Sequence, residues 1–207
     1  VNVTDCVGLG LVHMAASHGS NQALRLLVDD LGLSVNQKSQ LFRETALMRA
    51  CASGHLETAK VLVCQYRAKV DEIDNSNTTA LCFAATARNG PSFDLVKFLV
   101  EEGHATLKPT PHARDPITCA QGELNATAAA ERRLAEALAL AREAGAEFNN
   151  GCCSFEEGGI HTTITSTEVK HTPQRDGVVS MTRPVAGRLQ ELQKIVDYLT
   201  EVAERDK

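Results

Sequence analysis

One stretch of the chain recurs at a nearly fixed spacing, and this recurrence limits the possible folds more than any other feature. Thr45 to Val63 reads as two short helices joined by a Gly-His turn, with small residues on the first helix and an apolar stripe on the second. Gly10 to Gly19 aligns with it 35 residues upstream, and Thr79 to Ala85 aligns 34 residues downstream. A helix pair this short cannot bury both of its faces alone, so the sequence predicts a stack of helix pairs.

The repeated stretch resembles an ankyrin repeat. Thr45-Ala46-Leu47 stands at that family's helix start, Ala50-Cys51 at its pair of small residues, Gly54-His55 at its turn and Val61-Leu62-Val63 in its second helix. We identify the resemblance over residues 5–149 and expect repeats at approximately 5–37, 38–72, 73–107 and 108–150. The resemblance implies a protein-binding scaffold whose loops between repeats project like fingers.

The remainder of the chain departs from the repeat pattern. In the fourth unit we expect the second helix at Thr127 to Ala144. Beyond it, Gly151 to Gly159 reads as a loop, and the β-branched stretch Ile160 to Lys170 reads as a strand that pairs with Val178 to Thr182. An amphipathic helix from Pro184 to about Arg205 is predicted to cover the apolar side of the fourth repeat.

The predicted fold class is therefore all-α: an ankyrin-type helix-turn-helix repeat solenoid with a β-hairpin and a C-terminal capping helix. We expect one ankyrin repeat domain over residues 1–207, in which the hairpin and the capping helix take residues 151–207. With no Trp, two Tyr and six Phe, the core has to be mainly aliphatic, which suits helices packed through Ala, Leu and Val.

Charge and cysteine content narrow the classes of partner and compartment. The formal net charge is −5 with interspersed signs, which argues against nucleic acid and favours a partner with basic segments. Seven cysteines, an odd number, are better explained as free thiols than as a disulfide framework, so we expect an intracellular protein, cytoplasmic or nuclear. No apolar run has transmembrane length, so no membrane association is expected. Because the chain begins at Val1 without Met, we expect it to be part of a longer protein.

Candidate metal and catalytic residues have simpler interpretations. His13, His18 and His55 stand at repeat positions where the resemblance implies local hydrogen bonds at turns. Cys152-Cys153 with His161 and His171 has ligand chemistry, but lacks the Cys-x-x-Cys spacing that zinc sites favour. We therefore expect no catalytic residue, no metal and no cofactor.

The predicted function is that of a scaffold or adaptor which binds a partner protein or peptide through its concave face. We expect contacts from the finger loops 37–44, 72–78 and 108–114 and from the exposed side of the first helices. Phe42 and Arg43 are the strongest candidates, since an aromatic residue and an arginine on an exposed loop have no role in the core. The alternative is a regulatory or targeting arm of a larger enzyme, in which the C-terminal hairpin and helix join the active assembly. The candidate partner-binding residues are Leu41, Phe42, Arg43, Glu44, Arg49, Ser53, Asn75, Ser76, Asn77, Thr78, Thr86, His112 and Arg114.

Overall fold

The computed structural model describes residues 8–87, 92–143, 152–157, 160–165, 168–173 and 185–205. Where the sequence predicts one domain, the structure divides the chain into two compact units. The first unit combines Val1–Glu123 with Glu191–Lys207, and the second is Leu124–Gln190. The repeats lie in the first unit.

Three helix pairs follow one another, as the repeated stretch predicts. The second helices of the first two pairs continue into π-helical turns at Leu26–Asp30 and Val61–Gln65. The pairs are α1 (Leu11–Ser17) with α2 (Asn21–Arg25), α3 (Ala46–Ala52) with α4 (Leu56–Lys60), and α5 (Ala80–Ala85) with α6 (Phe93–Glu101).

Short polar side chains determine where the helices start. The Thr45 and Thr79 hydroxyl groups each accept a hydrogen bond of 3.3 Å from the backbone N–H three residues later, and Ser92 does the same at 3.4 Å. Each hydroxyl satisfies an amide that has no partner within its helix. After α1 and α3, Gly19 and Gly54 take positive φ angles of 69° and 74°, which favour glycine and let the chain reverse into the second helix.

Alanine and leucine side chains at equivalent positions build one core through the stack. The first helix α1 packs on α3, and α3 packs on α5. The contacts can be close because Ala16, Ala50 and Ala84 are all fully buried. Leu47 and Leu81 are each 1% exposed, so the core runs without interruption from one repeat to the next.

The fourth unit differs from its prediction. Helix α7 runs without a break over Pro116–Glu143, where the sequence predicts a first helix, a turn and a second helix from Thr127. No helix pair therefore forms within residues 116–143. Gly122 does not end the helix, and the Ala-rich sequence that follows has a high helix propensity.

Helix α8 (Val185–Arg205) reaches the repeats with its second half. Leu192, Ile195 and Leu199 are fully buried. The Tyr198 ring meets Phe93 of α6 edge-on, with 5.5 Å between the ring centroids, and its hydroxyl donates to the Glu101 carboxylate at 3.2 Å. The contacts of Tyr198 are thus with α6 of the third repeat, and not with a fourth helix pair as predicted.

The second unit contains a three-stranded antiparallel sheet in the order β1 (Cys152–Glu157), β2 (Ile160–Thr165) and β3 (Glu168–Pro173). The loop prediction for residues 151–159 is wrong over β1, because Cys152 to Glu157 pair in register with β2. The predicted strand from Ile160 to Lys170 is divided into β2 and β3, which pair with each other. Its predicted partner, Val178 to Thr182, lies outside the described residues.

Candidate functional site

The finger loop before α3 is closed by one serine. The Ser39 backbone N–H donates to the Glu44 carbonyl at 2.9 Å, and the Ser39 hydroxyl accepts from the Glu44 N–H at 3.0 Å. Between these residues, Arg43 takes a φ of 56°, in the left-handed region. The closed loop presents Leu41 and Phe42 outward, with 57% and 49% of their surfaces exposed.

The finger loop before α5 is closed by an aspartate. Asp74 is buried, and its carboxylate accepts hydrogen bonds of 2.8 Å from the backbone N–H groups of both Ser76 and Thr78. This side-chain turn leaves Asn75, Ser76 and Asn77 exposed at the tip. Asp74 is therefore a structural group as well as a negative charge.

Hydrogen bonds join each finger loop to the next. The Asn75 N–H donates to the Phe42 carbonyl at 3.0 Å, and the Asn75 side-chain amide donates to the Leu41 carbonyl at 2.7 Å. The Arg114 N–H donates to the Asn77 carbonyl at 2.8 Å. Because these bonds fix the spacing of the finger tips, the loops form one continuous surface.

An ion pair strengthens the connection between the first two fingers. Lys38 Nζ lies 2.6 Å from the Glu72 carboxylate and also donates to the Ile73 carbonyl at 3.0 Å. The hydrogen bond from Lys38 lowers the pKa of Glu72 below its ordinary value of 4.5. The pair is partly exposed, so we expect its contribution to stability to be small.

Three histidines make hydrogen bonds to backbone carbonyls, as predicted. His13 Nε2 lies 3.0 Å from the Glu44 carbonyl and His55 Nε2 lies 3.1 Å from the Ser17 carbonyl, so each joins two repeats. His18 Nδ1 lies 2.8 Å from the Met14 carbonyl. Burial is the main cause that lowers the pKa of His13, which favours the neutral ring.

A cavity of about 650 Å³ opens between the finger loops and the first helices. A second cavity of about 420 Å³ shares Glu44, Phe83, Thr86 and Glu123 with it and adds Arg49, Ala52 and Ser53. We call the two together the inner groove. The larger cavity is lined by Phe42, Glu44, Asp74, Ser76, Thr78, Cys82, Phe83, Thr86, Arg114, Asp115, Thr118, Cys119, Gly122 and Glu123.

Negative charge predominates in the larger cavity. Among the described residues that line it, Glu44, Asp74, Asp115 and Glu123 are acidic and Arg114 alone is basic. In the second cavity the Arg49 guanidinium lies 3.5 Å from the Glu44 carboxylate and offsets part of this charge. A groove with this balance attracts cationic groups.

The structure gathers part of the predicted partner-binding set. The groove residues among them are Phe42, Glu44, Arg49, Ser53, Ser76, Thr78, Thr86 and Arg114. The other five do not line either cavity, although all are exposed on the fingers: Leu41, Arg43, Asn75, Asn77 and His112.

Several groove residues were missed by the sequence prediction. Phe83 could have been found, because it lies 34 residues after Arg49 and takes the same place on its helix. The residues from Asp115 onward could not, because the sequence predicts a helix pair in place of the continuous α7. The missed residues are Ala52, Asp74, Cys82, Phe83, Asp115, Thr118, Cys119, Gly122 and Glu123.

Two further kinds of site are absent from the described part of the chain. No three His, Cys, Asp or Glu side chains gather there as a metal site requires. Among its helices, none combines the length and the apolar content needed to cross a bilayer. The side chains of Cys152, Cys153, His161 and His171 lie outside the described set.

Comparisons with known proteins identify the repeats. A family model described as ankyrin repeats, in three copies, matches residues 12–110. Among solved structures, the human ASB11 ankyrin repeat domain is 27% identical, with a TM-score of 0.47, over 57% of this chain and 49% of that chain. The match thus spans about half the length of that domain. A search of curated proteins found no significant match. Ankyrin repeats are in general protein-binding modules, and over residues 12–110 this chain is a stack of three ankyrin repeats.

Proposed function

We propose that this protein is a scaffold or adaptor that binds a partner protein or peptide in the inner groove. The observation that carries the proposal is the larger cavity of about 650 Å³, which the three finger loops, helix α5 and the start of α7 enclose together. Cavities of this size accommodate several side chains of a bound segment. The hydrogen bonds between neighbouring fingers keep the groove formed in the absence of a partner, which lowers the entropy lost on binding.

The charge of the groove favours a partner with lysine or arginine side chains. The described residues that line the larger cavity include four acidic side chains and one arginine, and charge complementarity to such a surface gives specificity and speeds association. Asp74 and Asp115 already accept backbone hydrogen bonds, from Ser76 and Ile117 among others. Their negative charge remains and acts on the partner without a direct contact.

Two aromatic side chains supply the apolar part of the site. Phe42 is 49% exposed at the rim and Phe83 is half-buried within the groove. Aromatic groups often carry most of the binding energy at interfaces. A partner that combines an apolar side chain with neighbouring basic residues fits this arrangement best.

We also propose that the second half of α8 caps the stack as the second helix of a discontinuous fourth repeat. Its first helix would be the start of α7, and residues 124–190 would be an insertion between the two. Buried residues support this assignment, since Ile195, Val196 and Leu199 repeat the spacing of Leu95, Val96 and Leu99 in α6. The hydrogen bond from Tyr198 to Glu101 has a counterpart two repeats earlier, where Tyr66 donates to Asp29 at 3.0 Å.

Free thiols support an intracellular location, cytoplasmic or nuclear. Cys51, Cys64, Cys82 and Cys119 are all unpaired, which suits a reducing compartment. With an acidic groove, we expect neither nucleic acid nor a membrane surface as the partner, and we expect no catalysis.

The test is selection of a ligand by the full chain from a random peptide library, followed by fluorescence anisotropy with the selected peptide. We expect enriched peptides to contain Lys or Arg next to an apolar residue, with an affinity that falls as salt rises. Phe42→Ala should weaken binding by about 1 to 4 kcal/mol, as truncation of an interface anchor does. Leu31→Ala is the matched control, because Leu31 is 54% exposed and does not line the groove. Equal affinities for wild type and Phe42→Ala, with a loss in Leu31→Ala, would place the binding surface elsewhere.

A further inference from the structure

Two cysteines from different repeats line the larger cavity. Cys82 lies in the first turn of α5 and Cys119 in the first turn of α7, and both side chains line the cavity. Cys82 is 1% exposed, whereas Cys119 is half-buried. We propose that Cys82 and Cys119 are a redox site, which glutathione disulfide or a related low-molecular-weight disulfide converts reversibly into an intramolecular disulfide.

The position of Cys82 explains why its sulfur points toward the next helix. Cys82 takes the place in the third repeat that His13 has in the first. In the first repeat, His13 Nε2 lies 3.0 Å from the Glu44 carbonyl. In the third repeat, Cys82 Sγ donates to the Arg114 carbonyl at 3.3 Å. Each of these carbonyls belongs to the residue that ends a finger loop. The fold therefore directs the Cys82 sulfur to the start of α7.

Cys119 lies at that point, in the first turn of α7, and lines the same cavity as Cys82. The first turn of α7 holds Cys119 in place, because its N–H donates to the Asp115 carbonyl at 3.1 Å. The Thr79 hydroxyl donates to Cys82 Sγ at 3.4 Å and fixes the other sulfur. To form a disulfide, the two side chains have to rotate until their sulfurs are about 2.0 Å apart.

The surroundings also make the pair reactive. The hydrogen bond from the Cys119 thiol, followed by those from Thr79, lowers the pKa of Cys82 to about 7, against the opposing effect of burial. The same interaction raises the pKa of Cys119, because its proton is held between the two sulfurs. The pair therefore ionises once near neutral pH, and a thiolate is the nucleophile in disulfide exchange.

The exchange proceeds in two displacements. Cys119, the more exposed sulfur, attacks glutathione disulfide after its proton passes to Cys82, and one glutathione thiolate leaves. Cys82 then loses that proton to solvent and displaces the second glutathione thiolate. In sum, the two protein thiols lose two electrons and two protons, and one glutathione disulfide becomes two glutathione molecules. The product joins α5 to the first turn of α7 beneath the groove.

The experiment incubates the full chain in buffers of reduced and oxidised glutathione, blocks the remaining thiols by alkylation, and digests the protein with trypsin. Cys82 lies in the tryptic peptide 70–88 and Cys119 in the peptide 115–132, so mass spectrometry identifies their linkage directly. We expect these two peptides to be joined, in a fraction that rises with oxidised glutathione and returns to zero with dithiothreitol. In concentrated urea, which separates the two helices, this preference over other cysteine pairs should be lost.

Three variants make the assignment specific. Cys82→Ser and Cys119→Ser should each lose the linked species. Cys82→Ser should retain glutathione on Cys119, whereas Cys119→Ser should take up little glutathione, because Cys82 is 1% exposed. Cys64→Ser is the control, since Cys64 is an exposed cysteine outside the groove, and it should behave as wild type. If Cys82→Ser does not fold, Cys119→Ser alone decides the matter. Glutathione adducts without a link, or a link of either cysteine to Cys51 or Cys153, would overturn the proposal.

Discussion

Substitution of one turn glycine tests how closely neighbouring repeats are packed. Gly19 has a φ of 69°, and a Cβ atom added to it would lie 3.0 Å from His55 Nδ1 and 3.1 Å from two carbons of the same ring. Gly32 has a similar φ of 64°, but a Cβ atom there would meet nothing within 4 Å. The two substitutions to alanine therefore share the backbone strain, and only Gly19→Ala adds a contact with the next repeat.

The difference between the two variants can be estimated. An alanine in the left-handed region destabilises the folded protein by roughly 1 to 2 kcal/mol. At either site the alanine also lowers the entropy of the unfolded chain relative to glycine, which stabilises the folded protein by about 0.4 to 1 kcal/mol. At Gly19 the His55 ring has to move, and its hydrogen bond to the Ser17 carbonyl at 3.1 Å is then lost. That loss costs about 1 kcal/mol more. We therefore expect Gly19→Ala to lower the free energy of unfolding by about 1 kcal/mol more than Gly32→Ala does.

Urea denaturation followed by circular dichroism measures both variants against wild type, with equal m-values as the check that the same surface is exposed on unfolding. A Gly19→Ala/His55→Ala double variant separates the two causes, because without the ring only the backbone strain remains. Equal losses for Gly19→Ala and Gly32→Ala would refute the contact between the first turn and His55.

Three further predictions concern the core, the cap and the response to pH. Leu81→Ala should lower the free energy of unfolding by about 2 to 5 kcal/mol through the cavity it leaves, whereas Leu41→Ala should change it by less than about 0.5 kcal/mol; similar values in urea melts would show that the repeat register is wrong. If α8 caps the repeats, Leu199→Ala should lower the free energy of unfolding by a comparable amount of about 2 to 5 kcal/mol. A loss below about 0.5 kcal/mol would contradict the assignment of α8 as a cap. Burial lowers the pKa of His13 in the folded protein below its ordinary value of 6.5. Below about pH 6.5 the unfolded chain therefore binds a proton at His13 that the folded protein does not bind, so wild-type stability should fall as the pH drops. His13→Gln should reduce that dependence, and an unchanged slope of stability against pH would contradict the burial of a neutral ring.

The repeats could be predicted from sequence because their signals are local. Thr45 and Thr79 start helices by hydrogen bonds three residues away, and Gly19 and Gly54 end them by their own backbone angles. The burial of Leu47 and Leu81 follows from the same spacing, repeated 34 residues later. Each of these features is specified within one repeat, so a single copy is sufficient to recognise the others.

The fourth unit could not be predicted in this way, because its contacts are distant in sequence. Tyr198 meets Glu101 across 97 residues, and nothing near either residue indicates the other. Helix α7 was divided by analogy with the preceding repeats, although its Ala-rich sequence favours a continuous helix. Cys119, Gly122 and Glu123 are absent from the predicted site for the same reason, because the shape of the groove depends on where α7 begins and on its direction.

Cross-saturation NMR of the chain bound to the selected peptide is the most direct test of the inner groove as the binding surface. Irradiation of the peptide should attenuate backbone amide signals at Phe42, Phe83, Thr118 and Glu123, all of which belong to residues that line the larger cavity. Amides of the outer helix α4 should keep their full intensity. Attenuation confined to α4, or to residues 152–173, with the groove signals unchanged, would contradict the proposed function.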